Sequence, residues 1–176
     1  LQATRYMADY GATPEMFAQV AVKSHRNGVL NPYAQYQKAT TLEEVMASRM
    51  IADPITLLQC SPTTDGAAAV VICAAEKAAK HSASRSMTVA GWATGSGKFQ
   101  SNDESEGDAE ANMGEVVRLA RTAFERAGIG PEDVDVTQVH DAFSPGEIFT
   151  AEGLGLVSKG EGARAVRGGR TEITGD

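Results

Sequence analysis

Apolar positions along this 176-residue chain change their spacing repeatedly, and each change marks an element. Thr13-Pro14-Glu15 offers an N-cap, a proline at N1 and an acid in the first turn. Met16, Phe17, Val20 and Ala21 follow at helical spacing, which predicts a helix running up to Gly28. Residues 31 to 39, NPYAQYQKA, mix turn-forming and aromatic residues without a period and read as an ordered loop. Thr41-Leu42-Glu43-Glu44 has capping-box grammar, so a second helix is expected through Val45 and Met46, stopping before Asp53-Pro54. Two short, nearly continuous apolar runs come next, ITLLQC (55 to 60) and GAAAVVICA (66 to 74), around a polar turn at 61 to 65. Strands covered on both faces have this character. MTVAGWATG (87 to 95) is a third strand candidate.

The second part of the chain repeats the alternation. The acidic run SNDESEGDAEAN (101 to 112) reads as a solvated loop. From Met113 to Ala127 an amphipathic stripe of Val116, Val117, Leu119, Ala120, Ala123 and Phe124 predicts a helix, with Gly128 as its stop. VDVTQVH (134 to 140) is the fourth strand candidate, and Ser144-Pro145-Gly146-Glu147 repeats the capping-box grammar for a helix through Leu154. Strands separated by helices predict an α/β layered fold. The Gly-rich, charged tail from Val157 onward shows no pattern that would close a domain, and no internal repeat or low-complexity tract is visible.

Charge narrows the partners. A net charge of −7 and a pI near 5.0 leave no basic stripe for nucleic acid. No apolar run approaches the roughly 20 residues of a membrane span, and LQATRYMADYG lacks a signal-peptide core. The expected setting is a cytoplasm or an organelle lumen. A chain starting at Leu1 without an initiator Met is expected to have lost residues upstream. The only cysteines, Cys60 and Cys73, stand in apolar company, with no disulfide or metal spacing; each reads as a small buried hydrophobe in a reducing compartment.

The candidate chemistry centres on VHDAFSPGEIF (139 to 149). Ligands of α/β sheets collect beyond strand carboxyl ends, where the next helix presents free N–H groups, and His140 is expected at such an end. A neutral imidazole there donates an N–H to an oxygen developing negative charge. The competing role is a histidine that caps the strand or satisfies a loop carbonyl. Asp141 is expected to satisfy loop amides, since neighbours on a strand face opposite ways, and Phe143 to pack under the sheet. His25 and His81 read as surface residues. Ser61-Pro62-Thr63-Thr64-Asp65-Gly66 is either a hydroxyl-rich ligand site or a turn satisfying its own backbone. Gly95-Ser96-Gly97-Lys98 lacks phosphate-loop spacing and carries little weight.

YMADYGATPEMFAQVAVKSHRNGVLNPYAQYQ, TLEEVMASRMIADPITLLQCSPTTDGAAAVVI and VHDAFSPGEIFTAEGLGL together resemble the thiolase superfamily, in its sterol-carrier-protein (lipid-transfer) branch, over nearly the whole chain. In that branch N-E-A-F is replaced by H-D-x-F, here His140-Asp141-Ala142-Phe143. The resemblance implies a partial thiolase-like α/β fold, with 1–80 as the loop region and end of the N-terminal half and 87–176 as the start of the C-terminal half. It implies reversible Claisen chemistry on coenzyme A thioesters: thiolysis of a 3-ketoacyl-CoA, or the reverse condensation forming one, as in an acetyl-CoA acetyltransferase. His140 would help bind the thioester oxygen as the enolate forms. Ser61 would lie near the pantetheine arm, Phe143 would line the acyl pocket, and Tyr6 and Met7 would belong to a segment covering the thioester. No cofactor is expected beyond coenzyme A or acyl-CoA as substrate, and no metal.

The family's acylated cysteine, second cysteine and G-H-P histidine match nothing in this chain, so the chain reads as a middle portion, expected to be inactive by itself. The resemblance further implies a homodimer or tetramer, and an accessory acyl-CoA-binding protein as a further candidate partner. It suggests a cytoplasmic setting in a bacterium or archaeon, or a peroxisomal one in a eukaryote. Two alternatives stand beside the acyltransferase. One is a thiolase-fold retro-aldolase of steroid side-chain breakdown, which tends to carry tyrosine at the position of His140. The other is a non-catalytic subunit that binds acyl-CoA or a partner.

Overall fold

The computed structural model describes residues 1–81, 87–96 and 109–173. In chain order the elements are α1 (Gln2–Tyr10), α2 (Pro14–Val29), α3 (Leu42–Ala47), β1 (Met50–Ala52), β2 (Ile55–Thr56), a 3₁₀ turn (Leu57–Gln59), α4 (Ala75–His81), α5 (Ala109–Ala127), a second 3₁₀ turn (Pro131–Asp133), α6 (Pro145–Gly153) and α7 (Gly162–Arg167). β1 and β2 form an antiparallel pair, the one sheet among the described residues.

Local grammar explains the helices. Thr13 and Pro14 start α2 as expected. The Thr41 box closes α3 in both directions: Glu44 N–H donates to Thr41 Oγ1 at 3.2 Å, and Thr41 N–H donates to Glu44 Oε2 at 2.9 Å. Gly128 ends α5 with φ +70°, a left-handed conformation that glycine adopts without a Cβ clash.

Helix α2 is buried on two faces. Met16, Phe17 and Val20 face a core shared with Ala3 and Tyr6 of α1, Ile148 of α6, and Ala163 and Val166 of α7. Ala18 and Ala21 pack against Val45 of α3. Phe17 and Ile148 are fully buried, each contributing about 1.5–3 kcal/mol by transfer from water. The core thus draws on both parts of the chain, and α6 sits against α2 although Lys23 and Glu147 are 124 positions apart. Those two side chains form an ion pair, 10% and 11% exposed. The same ammonium reaches Thr171 O and Thr171 Oγ1, each at 3.2 Å, so its three N–H groups have three acceptors.

Several expectations need correction. Of the run 55–60, only Ile55 and Thr56 are strand. Residues 66–74 form no regular element, with Val70 84%, Val71 99% and Ile72 78% exposed. A strand exists only with a ladder partner, and among the described residues this run has none. Residues 87–95 lie along α5 instead of in a sheet. A Cβ on Gly91 would fall 2.4 Å from Ala123 O, and Arg126 donates to Trp92 O at 2.7 Å while its guanidinium lies over the indole. Residues 134–140 are likewise not a strand. α6 begins where expected, but Ser144 makes no side-chain cap, because its hydroxyl and the Glu147 carboxylate are both committed elsewhere. The tail does close onto the core, through Ala163 and Val166 of α7, and α1 forms where no helix was expected. The proposed acidic loop lies outside the described residues at 101–108, while 109–112 begin α5.

The Lys23 pair gives a direct test. Lys23→Ala, which strands a buried carboxylate, is expected to lower stability by about 3–5 kcal/mol in denaturant unfolding, whereas Lys23→Met combined with Glu147→Leu recovers most of that loss.

Candidate functional site

The site is assembled by two backbone hydrogen bonds between distant segments. Ser61 N–H donates to Ala142 O at 2.9 Å, and Ser144 N–H donates to Gln59 O at 3.0 Å, with Cys60 and Phe143 paired as an antiparallel bridge between them. This places Ser61 beside the His140–Phe143 segment. A cleft of about 220 Å³ opens there, lined among others by Ser24, His25, Tyr36, Cys60, Ser61 and Asp141. One wall is made by residues 31–38 folding back over α2. A Cβ on Gly28 would lie 2.6 Å from Tyr36 O, so only glycine permits the approach. His25 stacks on Tyr36 with ring centroids 5.4 Å apart and planes at 15°, and its Nδ1 lies 3.3 Å from Lys38 O. Thr64 donates to Gln35 Oε1 at 3.3 Å, tying the turn after Ser61 to the same wall.

Of the residues singled out from sequence, Ser61 lines this cleft, and His140 and Phe143 belong to the segment that borders it. His140 is exposed. Phe143 is 55% exposed, not packed under a sheet, since among the described residues the expected strand at 134–140 does not form. Tyr6 and Met7 lie apart, on α1. Tyr6 is 6% exposed in the core, its hydroxyl donating to Glu152 Oε1 at 2.5 Å, and Met7 is half-buried against the same cluster. Burial, then the Glu152 carboxylate, pushes the Tyr6 phenol well above the ordinary tyrosine range.

His25, Tyr36 and Asp141 are the cleft residues that sequence reasoning missed. His25 read as surface but is half-buried in the wall, and its only sequence signal is the position of Gly28 one helical turn later. Cys73 is exposed, against the expectation of burial. Cys60 is partly buried, its thiol donating to Thr56 O at 3.4 Å, and burial pushes its pKa up, which disfavours the thiolate a nucleophile requires. Among the described residues no three His, Cys, Asp or Glu side chains gather as a metal-binding set, and no helix is long and apolar enough to cross a membrane. What the arrangement offers is a partly apolar cleft with a serine hydroxyl, an imidazole and a carboxyl group.

Comparison with known proteins supplies the context. Residues 97–176 match the family model described as Thiolase C-terminal domain-like. The chain is 42% identical over 176 residues to an acetyl-CoA acetyltransferase of Methanothermobacter thermautotrophicus, covering 100% of this chain and 45% of that protein. It is 37% identical over 168 residues to sterol carrier protein 2 of Rattus norvegicus, covering 94% of this chain and 31% of that protein. Among solved structures, a chain of the Ltp2-ChsH2(DUF35) aldolase superposes with a TM-score of 0.88 at 33% identity, covering 99% of this chain and 46% of that one. The chain therefore spans less than half the length of these relatives.

Asp141 supplies a test of the cleft's electrostatics. Burial raises its carboxyl above the ordinary value of 3.8, against smaller opposing pulls from its own backbone N–H, Lys23 and His140. The folded state therefore holds this proton more tightly than the unfolded chain does. That contribution to stability is complete below the unfolded value and is lost as pH rises through the folded one. Asp141→Asn is expected to raise the melting temperature at pH 7, and the gain over wild type should vanish as pH falls below about 3.8 in thermal melts across pH.

Proposed function

Because the chain belongs to the thiolase superfamily and shares its α/β fold, we propose that it carries part of the thioester site of a CoA-dependent acyltransferase, of the 3-ketoacyl-CoA thiolase or acetyl-CoA acetyltransferase type. The observation that carries this reading is the pair of hydrogen bonds holding Ser61 and the His140–Phe143 segment on one cleft. In such a reaction the thioester oxygen gains negative charge as the α-proton leaves. His140 donates an N–H to that oxygen, a hydrogen bond made to the bound thioester that strengthens as charge develops. Ser61 borders the pantetheine arm and Phe143 the acyl group, with coenzyme A entering as substrate, not as a resident cofactor. Tyr6 and Met7 act from α1, where they shape the floor under α6 through the core. The reading takes neither nucleophile nor base from Cys60 or Cys73: neither has a basic neighbour in sequence, and burial disfavours the Cys60 thiolate. The reading places the protein in the cytoplasm of a bacterium or archaeon or in a eukaryotic peroxisome, as a dimer or tetramer.

A second reading is favoured by the aldolase among the structural neighbours: a thiolase-fold carbon–carbon lyase working with an accessory subunit. His140 stands against it, since an imidazole suits enolate stabilisation where such lyases tend to carry a phenol.

The 176-residue chain is expected to bind acetyl-CoA in ligand-observed NMR and to cleave no acetoacetyl-CoA. His140→Ala and Ser61→Leu should each weaken binding by about tenfold, the scale of one lost hydrogen bond or a blocked cleft, without lowering the melting temperature. Absence of acetyl-CoA binding overturns the proposal, and turnover of acetoacetyl-CoA by this chain overturns the assignment of nucleophile and base elsewhere. Cleavage of a 3-hydroxyacyl-CoA to a ketone would instead favour the lyase.

A further inference from the structure

Gln59 lies on the 3₁₀ turn at the wall of the cleft, 3% exposed, between two other buried polar side chains, Thr56 at 1% and Ser144 at 4%. Its Oε1 accepts from the Ser144 hydroxyl at 2.8 Å, and its Nε2 donates to Thr56 Oγ1 at 3.2 Å. The Thr56 hydroxyl donates in turn to Val45 O at 2.7 Å. The direction of this relay is forced from its far end. Val45 O is a carbonyl and only accepts, so the single Thr56 proton is committed to it and the Thr56 oxygen is free only to accept from Gln59. The amide is thereby oriented with its oxygen toward Ser144. A side chain offering one donor and one acceptor in line is required: a methionine offers neither, and a carboxylate sets oxygen against the Thr56 oxygen. No buried side-chain polar atom among the described residues lacks a partner, so the relay is complete.

The same residue holds Ser144 twice, because Gln59 O also accepts from Ser144 N–H at 3.0 Å. Two positions further along each side of the bridge, Ser61 N–H donates to Ala142 O. We propose that Gln59 is a positioning residue that fixes the His140–Phe143 segment against Ser61, and so sets where the imidazole stands relative to the cleft. It anchors that segment to α3 through Thr56 and Val45, both polar atoms of its amide being engaged in the relay. The proposal rests on the reading of His140 and Ser61 as thioester-binding groups.

The test measures amide hydrogen-exchange protection and acetyl-CoA binding in wild type, Gln59→Met and Ser144→Ala. Ser144→Ala removes only the hydroxyl, so it reports even where Gln59→Met does not fold. In Ser144→Ala the amides at 61 and 144 are expected to lose protection by about tenfold while those of Phe17 and Val20 in α2 keep theirs, with acetyl-CoA binding weakened by a similar factor. Protection that is unchanged at 61 and 144, or that falls equally throughout the protein, reduces Gln59 to an ordinary core residue and overturns the proposal. Local loss of protection in a protein whose wild type binds no acetyl-CoA upholds the positioning of the segment and overturns the thioester reading instead.

Discussion

One ammonium group fixes how the two parts of this chain meet. Lys23 projects from the middle of α2, and each of its N–H groups finds an oxygen: the Glu147 carboxylate, the Thr171 carbonyl and the Thr171 hydroxyl. A buried charge is tolerated only when its hydrogen-bonding capacity is filled, and here the filling comes from elements that begin more than a hundred residues later. Glu147 lies in the first turn of α6, so the pair also sets the point at which the His140–Phe143 segment must turn into that helix. The Arg26–Glu172 ion pair, one helical turn along α2, draws in the same stretch of chain after α7.

The candidate site is built on that framework by hydrogen bonds and not by a closed apolar pocket. Its parts are a bridge of single residues, a relay of buried hydroxyl and amide groups, and a wall formed where Gly28 lets a loop lie against a helix. Such an arrangement fixes the backbone of the His140–Phe143 segment while leaving the His140 side chain exposed. His140 is exposed while the groups that place its segment are buried, a division between accessible side chain and inaccessible support that preorganisation requires.

Much of the helical structure was legible because its signals are local. Thr13-Pro14, the Thr41 box and the 113–127 stripe each specify a helix within a few residues, and all three form. α1 escaped notice because Leu1 supplies no side-chain cap and only Ala3 and Tyr6 are buried, too few to establish a period. α7 is short and flanked by glycine. The apolar runs at 66–74, 87–95 and 134–140 failed for a different reason: an apolar composition shows that a segment favours a strand, whereas pairing depends on partners far away in sequence. His140 became a candidate as the end of an expected strand that does not form, and Ser61 as part of a hydroxyl-rich turn; the family resemblance then gave both a role. Their adjacency is a tertiary fact, and so is the part played by His25, whose polar helical surroundings suggested only solvent.

The bridge between Cys60 and Phe143 also bears on the order in which the protein takes shape. Gln59 and Ser144 are separated by 85 positions, and closing a loop of that size is unfavourable until the helices at its two ends are already docked. Helices α2 and α3, with their local contacts, form early, whereas the cleft exists only after α6 has been made and has found Lys23. During synthesis the ribosome therefore releases the Ser61 side of the cleft long before its counterpart, and the cleft is among the last features to mature.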